Sequence, residues 1–151
     1  MIEFFVPGHP EPGGSKSAWL NKKTGKILVA DTNKKASGWK KAVAQHARLA
    51  LGPSARLLDG PLHITCIFIL PRPRSHFRTG KNACKLKDNA PLHPVGRPDA
   101  TKLWRSTEDA LTHVIWNDDA QIVQQQIVKQ YVNEERVQPG AFLQVYTDLG
   151  I

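Results

Sequence analysis

Pro61-Leu62-His63-Ile64-Thr65-Cys66-Ile67-Phe68-Ile69-Leu70 is the stretch from which the architecture follows. Its apolar residues crowd together over a length too short for a free-standing helix. The run therefore predicts a strand buried on both faces and central to a sheet. Working back toward the N-terminus, Trp39, Val43, Ala47 and Leu51 recur every four residues, with Lys40, Lys41 and Arg48 off that stripe. This spacing predicts a helix over about 36–51 that Gly52-Pro53 closes, with Trp39 in the core rather than stacked on a base. Before it, residues 2–6 form a short strand ended by Pro7-Gly8. A Pro- and Gly-rich loop follows, carrying His9 and Lys16. Residues 18–31, with Lys22, Lys23, Lys26 and a Thr24-Gly25 turn, predict a basic hairpin.

Toward the C-terminus, a second helix is expected from about Thr101 to His113. Leu103, Thr107, Ala110, Leu111 and Val114 give it one apolar face, and Thr101 or Asp99 would cap it. Strands are expected over 122–132 and 141–147, the latter after a Pro139-Gly140 turn. Between the central strand and the second helix lies a long loop, 71–98. It holds Arg72, Arg74, Arg78, Lys81, Lys85, Lys87 and Arg97 against one acid, Asp88. Long loops inside small domains are usually functional or disordered. This one carries a surplus of six positive charges out of the chain's net +8.

The whole chain, 151 residues with 40% hydrophobic content, fits a single domain over 1–151. Its 21 Lys and Arg against 13 Asp and Glu favour a polyanionic partner, because each phosphate neutralised releases condensed counterions. Cys66 and Cys84 read as reduced intracellular thiols. A zinc site from Cys66, Cys84, His76 and His93 lacks any ligand spacing. Met1 to Val6 lacks the features of a signal peptide, and the longest apolar run, Cys66 to Leu70, is too short to span a bilayer. A cytoplasmic protein without membrane association is expected.

In so basic a chain the acids are the scarce groups. Asp99 precedes the second helix and Asp118-Asp119 follow it. One helix would hold them at opposite ends unless the sheet order brings the elements together. The alternative is that Asp118-Asp119 simply form a polar turn. Phosphodiester cleavage needs an activated water, a neutralised transition state and a stabilised leaving oxygen, and magnesium on carboxylate oxygens supplies all three. Lys102 and Arg105 are three apart and lie on the side of Asp99, with Glu108 and Asp109 a turn later; the alternative for these four is a surface of helical ion pairs. Other mechanisms fit worse. Pro12-Gly13-Gly14-Ser15-Lys16 lacks the spacing of a phosphate loop, no Ser sits in an elbow motif, and neither Cys has a catalytic setting.

Three linked segments then resemble the RusA family of Holliday junction resolvases: Arg97-Pro98-Asp99-Ala100-Thr101-Lys102-Leu103-Trp104-Arg105, Asp109-Ala110-Leu111-Thr112, and Trp116-Asn117-Asp118-Asp119-Ala120-Gln121-Ile122-Val123. Phe5-Val6-Pro7-Gly8-His9-Pro10 and the helix around Trp39-Lys40 are similar to its opening. The resemblance implies a small α+β fold, a mixed sheet packed against two main helices. It further implies a symmetric homodimer that binds four-way DNA junctions and makes paired nicks with Mg2+, with Mn2+ as a substitute and no small-molecule cofactor. The chain would come from a bacterium or a phage. Asp99, Asp119 and Asp118 become the metal-ligand and catalytic candidates, and Arg105 matches a basic residue important in the family. Lys16, Arg72, Arg74, Arg78, Lys81, Arg97, Lys102 and Arg105 would contact DNA. One position departs from the pattern: Thr101 stands where the family has a second carboxylate, and a hydroxyl is a poorer magnesium ligand. Glu108 or Asp118 is the candidate for compensation, with Thr101, Glu108 and Asp109 around the site. Without compensation, the chain would bind branched DNA and cut it weakly or not at all.

Overall fold

The computed structural model describes residues 1–148; the last three residues of the expected 1–151 domain lie outside the described residues. The elements are β1 (Ile2–Pro7), β2 (Lys16–Leu20), β3 (Ile27–Asp31), α1 (Ala36–Leu51), β4 (Leu62–Leu70), α2 (Ala100–Leu111), β5 (Ile122–Tyr131) and β6 (Gly140–Thr147). Four strands form one mixed sheet in the order β1-β6-β4-β5. β4 and β5 run parallel, and the other neighbours are antiparallel. β2 and β3 form a separate two-stranded ribbon. The fold is α+β, as expected.

β4 is an inner strand, and its alternation decides where the core lies. Leu62, Ile64, Cys66 and Phe68 are at most 2% exposed. They join Val6, Leu143 and Val145 from the neighbouring strands, Trp39, Val43 and Ala47 from α1, and Leu103 and Leu111 from α2. Each such large side chain contributes about 2 kcal/mol of burial. The expectation of burial on both faces holds only at the strand's end, where Ile69 and Leu70 are buried. His63, Thr65 and Ile67 are only half-buried, because α1 and α2 cover the opposite, alternating set. Trp39 is a core residue, 4% exposed, and its indole Nε1 donates to Thr107 Oγ1 at 3.1 Å. Thr107 in turn donates to Leu103 O at 3.0 Å, so the buried polar atoms joining the two helices are satisfied.

The two cysteines differ sharply. Cys66 is buried in β4, and burial pushes its thiol well above the usual range, whereas Cys84 is exposed on the basic loop. A thiol reagent such as Ellman's should therefore modify one cysteine quickly in the native protein and the second only on unfolding. Equal rates for both would contradict this packing of β4. No helix among the described residues is long and apolar enough to cross a membrane.

Candidate active site

α2 has two chemically different ends, and the sequence-predicted carboxylates divide between them. Asp99 occupies the N-cap position with extended backbone (φ −68°, ψ 140°), but its side chain caps no backbone N–H. Its Oδ2 lies 3.8 Å from Lys102 Nζ. Here a groove of about 750 Å3 opens, lined among others by His9, Glu11, Asn33, Arg97, Asp99, Lys102 and Tyr131. Several local ties build it. Gly13 N donates to Lys102 O at 2.9 Å, and Ser106 Oγ donates to Glu11 O, fixing the N-terminal loop on α2. Lys129 Nζ, from β5, donates to Gly96 O and Pro98 O at 2.8 and 2.9 Å and so holds the segment leading to Asp99. Gly14 has φ +84°, and a Cβ there would stand 2.7 Å from Arg105 Cδ. Only glycine suits both that backbone and that closeness, so the loop rests directly on Arg105.

The opposite end of α2 holds the other carboxylates. Thr112 ends the helix, and a tight turn through His113, in left-handed backbone (φ 61°), brings the chain back so that His113 N donates to Trp116 O at 2.6 Å. Asp119 thereby returns to the last turn of α2. Its Oδ1 accepts from Thr112 Oγ1 at 2.6 Å and from the Trp116 indole Nε1 at 2.8 Å. Beside it, Glu108 Oε1 accepts from Trp104 Nε1 at 3.2 Å. Asp119 and Glu108 line one cleft of about 290 Å3 with Ile122, Val123, Gln124 and Gln125. Burial first, and next the neighbouring Asp119 charge, raise the Glu108 carboxyl above the usual glutamate range; Asp109 adds to the rise, while the Trp104 bond and Arg105 oppose it.

This is the place that asks for a cation. Both carboxylates are held by neutral donors on one oxygen, and among the described residues Oε2 of Glu108 and Oδ2 of Asp119 accept no hydrogen bond. Among the described residues neither has an ion-pair partner. They also stand at the negative end of the helix dipole. Asp99, by contrast, has the positive helix end and Lys102 to offset its charge. Two hard oxygen donors in a solvent-open cleft fit Mg2+, which commonly takes one or two carboxylates and completes its shell with water and substrate phosphate. Among the described residues no three His, Cys, Asp or Glu side chains cluster as a complete protein cage.

The structure therefore does not bring Asp99 to Asp119 within one chain. The 12-residue helix between them spans about 18 Å. β5 begins beside Leu62, at the start of the parallel strand β4, and no strand carries Asp119 back to the other end. Asp118 also stands apart from the cleft. Its Oδ1 accepts from Ala120 N at 2.8 Å, and Gln121 Oε1 accepts from Asn117 N and Asp118 N, making it the cap of a short 3-10 turn at 119–121. Asp109 pairs with Lys40 of α1 at 3.0 Å. Thr101 is exposed in the first turn of α2, away from the cleft.

The expected DNA-contacting residues divide similarly. Arg97 and Lys102 line the groove, and Lys16 follows directly on its lining residue Ser15. Arg105 lies on α2 between the groove and the cleft, one turn from Lys102 and one from Glu108. Arg72 packs over the Tyr131 ring at 4.6 Å and donates to Pro91 O at 2.8 Å, shaping the groove wall. Arg74 and Lys81 are exposed on short 3-10 turns. Arg78 is engaged with Asp88 at 2.8 Å and with Leu86 O, and staples the loop. Sequence reasoning missed Trp104, Trp116 and Thr112 as holders of the carboxylates, and Lys129 as the clamp behind Asp99. The i, i+4 spacing of Trp104, Glu108 and Thr112 was the available signal.

Two comparisons bear on this geometry. The profile of the family described as endodeoxyribonuclease RusA matches residues 7–138. A Bacillus subtilis (strain 168) protein named "Uncharacterized protein YqaN" is 28% identical over 139 residues, covering 91% of this chain and 92% of the relative.

Proposed function

Because the chain belongs to the RusA family of endodeoxyribonucleases, we propose that it is a magnesium-dependent endonuclease that resolves four-way DNA junctions by paired nicks, working as a symmetric homodimer. The observation that carries this reading is the adjacent pair of Glu108 and Asp119 at the C-terminal end of α2, facing one open cleft with neither in an ion pair among the described residues. These two residues would hold the ion through their free oxygens. When bound, Mg2+ or Mn2+ supplies charge neutralisation at the scissile phosphate and a more acidic water.

The chain's own residues do the rest. Thr112 and Trp116 fix the Asp119 carboxylate, and Trp104 fixes that of Glu108, so neither has to be ordered when substrate arrives. Arg97 and Lys102 at the groove and Arg105 farther along α2 form a positive track that leads a DNA strand toward the cleft. Arg105, felt electrostatically by Glu108, is the cation best situated to share charge developing on the phosphate. Asp99 serves in the groove with Lys102 rather than as a partner of Asp119. Two such clefts related by a two-fold axis suit a four-way junction, whose strands are themselves symmetry-related.

The alternative, a branched-DNA-binding relative that does not cut, rests on Thr101. Glu108 weighs against it, since it provides a second carboxylate beside Asp119. Incision of a synthetic four-way junction, compared with linear duplex of the same sequence, tests the proposal. We expect two symmetric nicks with Mg2+ and none with EDTA. Tight, salt-sensitive junction binding with no incision in Mg2+ or Mn2+ would instead support the non-cutting relative.

A further inference from the structure

The β2–β3 ribbon leaves large apolar side chains in solvent on both of its faces. Cross-strand pairing puts Trp19 beside Leu28 on one face, and Leu20 beside Ile27 with Ala18 beside Val29 on the other. Their exposures are 50% and 40% for Trp19 and Leu28, and 58%, 71% and 63% for Leu20, Ile27 and Val29. Leu20, Ile27 and Val29 together expose roughly 350 Å2 on one face, within the range of the largest apolar patch on a typical monomer, and Trp19 with Leu28 adds a smaller patch on the other. A two-stranded ribbon alone is marginal in water. This one is nonetheless preformed, since Asn21 Oδ1 accepts from Lys23 N and Thr24 N and Asn21 N donates to Lys26 O, closing its tip.

We propose that this ribbon is the dimerisation arm, and that its occupant is the same ribbon of a second copy of this chain. Charge selects that partner. The chain carries a net +8, so two copies repel unless they meet where lysine and arginine are absent. Residues 17–20 and 27–30 contain no charged side chain, whereas the tip carries Lys22, Lys23 and Lys26, all exposed. A two-fold interface needs a self-complementary patch. An uncharged apolar ribbon meets that requirement when the two arms cross antiparallel, which carries the lysine tips away from each other. DNA phosphates would find no cation between Ser17 and Leu20 or between Ile27 and Ala30, the one strand lysine being Lys16 at the base of the ribbon. The open edges of β2 and β3 add unpaired backbone groups that a second strand can satisfy. The inference rests on the nuclease reading only for the reason a second copy is needed.

Sedimentation equilibrium of the wild type and of the double variant Ile27→Ser/Val29→Ser tests it, with a thermal melt of each. Both residues are exposed, so the variant should still melt in one cooperative transition, lowered only by the association it has lost. We expect a two-chain mass for the wild type at micromolar concentration, and for the variant a single-chain mass with dimerisation weakened about 100-fold or more. A wild-type monomer, or a variant that remains dimeric, overturns the proposal. So does an unchanged mass accompanied by weaker junction binding in Trp19→Ala, which would make the ribbon a DNA contact. The two readings fail separately. A dimer that depends on Ile27 and Val29 but never cuts DNA sinks only the nuclease assignment, and a cutting dimer indifferent to them sinks only the arm.

Discussion

Asp119→Asn is expected to abolish junction incision, lowering the rate at least about 1,000-fold, equivalent to about 4 kcal/mol of barrier. The substitution is close to isosteric. Its amide oxygen can still accept from Thr112 and Trp116, so the turn after α2 should persist. What disappears is one of the two carboxylate charges of the proposed cation site. Junction affinity should stay the same or tighten, because a negative charge has been removed from a DNA-binding surface. Rate and affinity must therefore separate. Incision is followed under single-turnover conditions in Mg2+, and affinity by gel shift in EDTA. Glu108→Gln should behave in the same way. Asp99→Asn should not, because its charge is already offset by Lys102 and the helix N-terminus. Equal cutting by wild type and Asp119→Asn would remove the residue from the mechanism.

The largest effect on stability is expected at Trp116, the largest fully buried side chain among the described residues and the donor to Asp119. Trp116→Ala leaves an indole-sized cavity and should cost about 3–5 kcal/mol, a large share of the total stability of a domain of this size. The melting temperature should fall by about 10 °C. Trp116→Phe distinguishes packing from positioning. It retains much of the buried area but lacks the N–H, so it should melt within a few degrees of the wild type while incision falls clearly. A Phe variant with unchanged incision would mean that the indole only fills space. Calorimetry and the junction assay read the two effects independently.

How much of this was legible in the sequence differs from element to element. β4 and α1 announced themselves, because an apolar run and a four-residue stripe of Trp39, Val43, Ala47 and Leu51 are direct consequences of burial. The half-open face of β4 was hidden. Ile67 is as apolar as Ile64, and only the placement of both helices on one face distinguishes their surroundings. The basic loop was plain from its composition. That Arg78 is spent on Asp88 was not, since charge counting treats every guanidinium alike.

The candidate site was legible in its residues but not in its partnerships. Asp99 and Asp119 flank one helix, and the direction of β5 alone decides whether they meet. β5 runs parallel to β4 and starts at the C-terminal end of α2, so within one chain they do not. The short turn 112–116 was the missed clue. So tight a return leaves Asp119 nowhere to go but the last turn of α2, where Glu108 waits. On the proposed reading, Glu108 is the candidate that compensates for Thr101, from the other end of the same helix. The exposed arm was legible only in part. Its lysines and turn were plain, while the apolar pairs on the strands below them, which look like ordinary strand residues, turn out to be uncovered.

Binding of Mn2+ to the free protein, followed by isothermal titration calorimetry across single variants, tests the cation site most directly. One ion per chain is expected in the wild type and in Asp99→Asn, with binding lost in both Glu108→Gln and Asp119→Asn. Loss of the ion in Asp99→Asn together with its retention in Glu108→Gln would contradict the account and return the metal to the other end of α2.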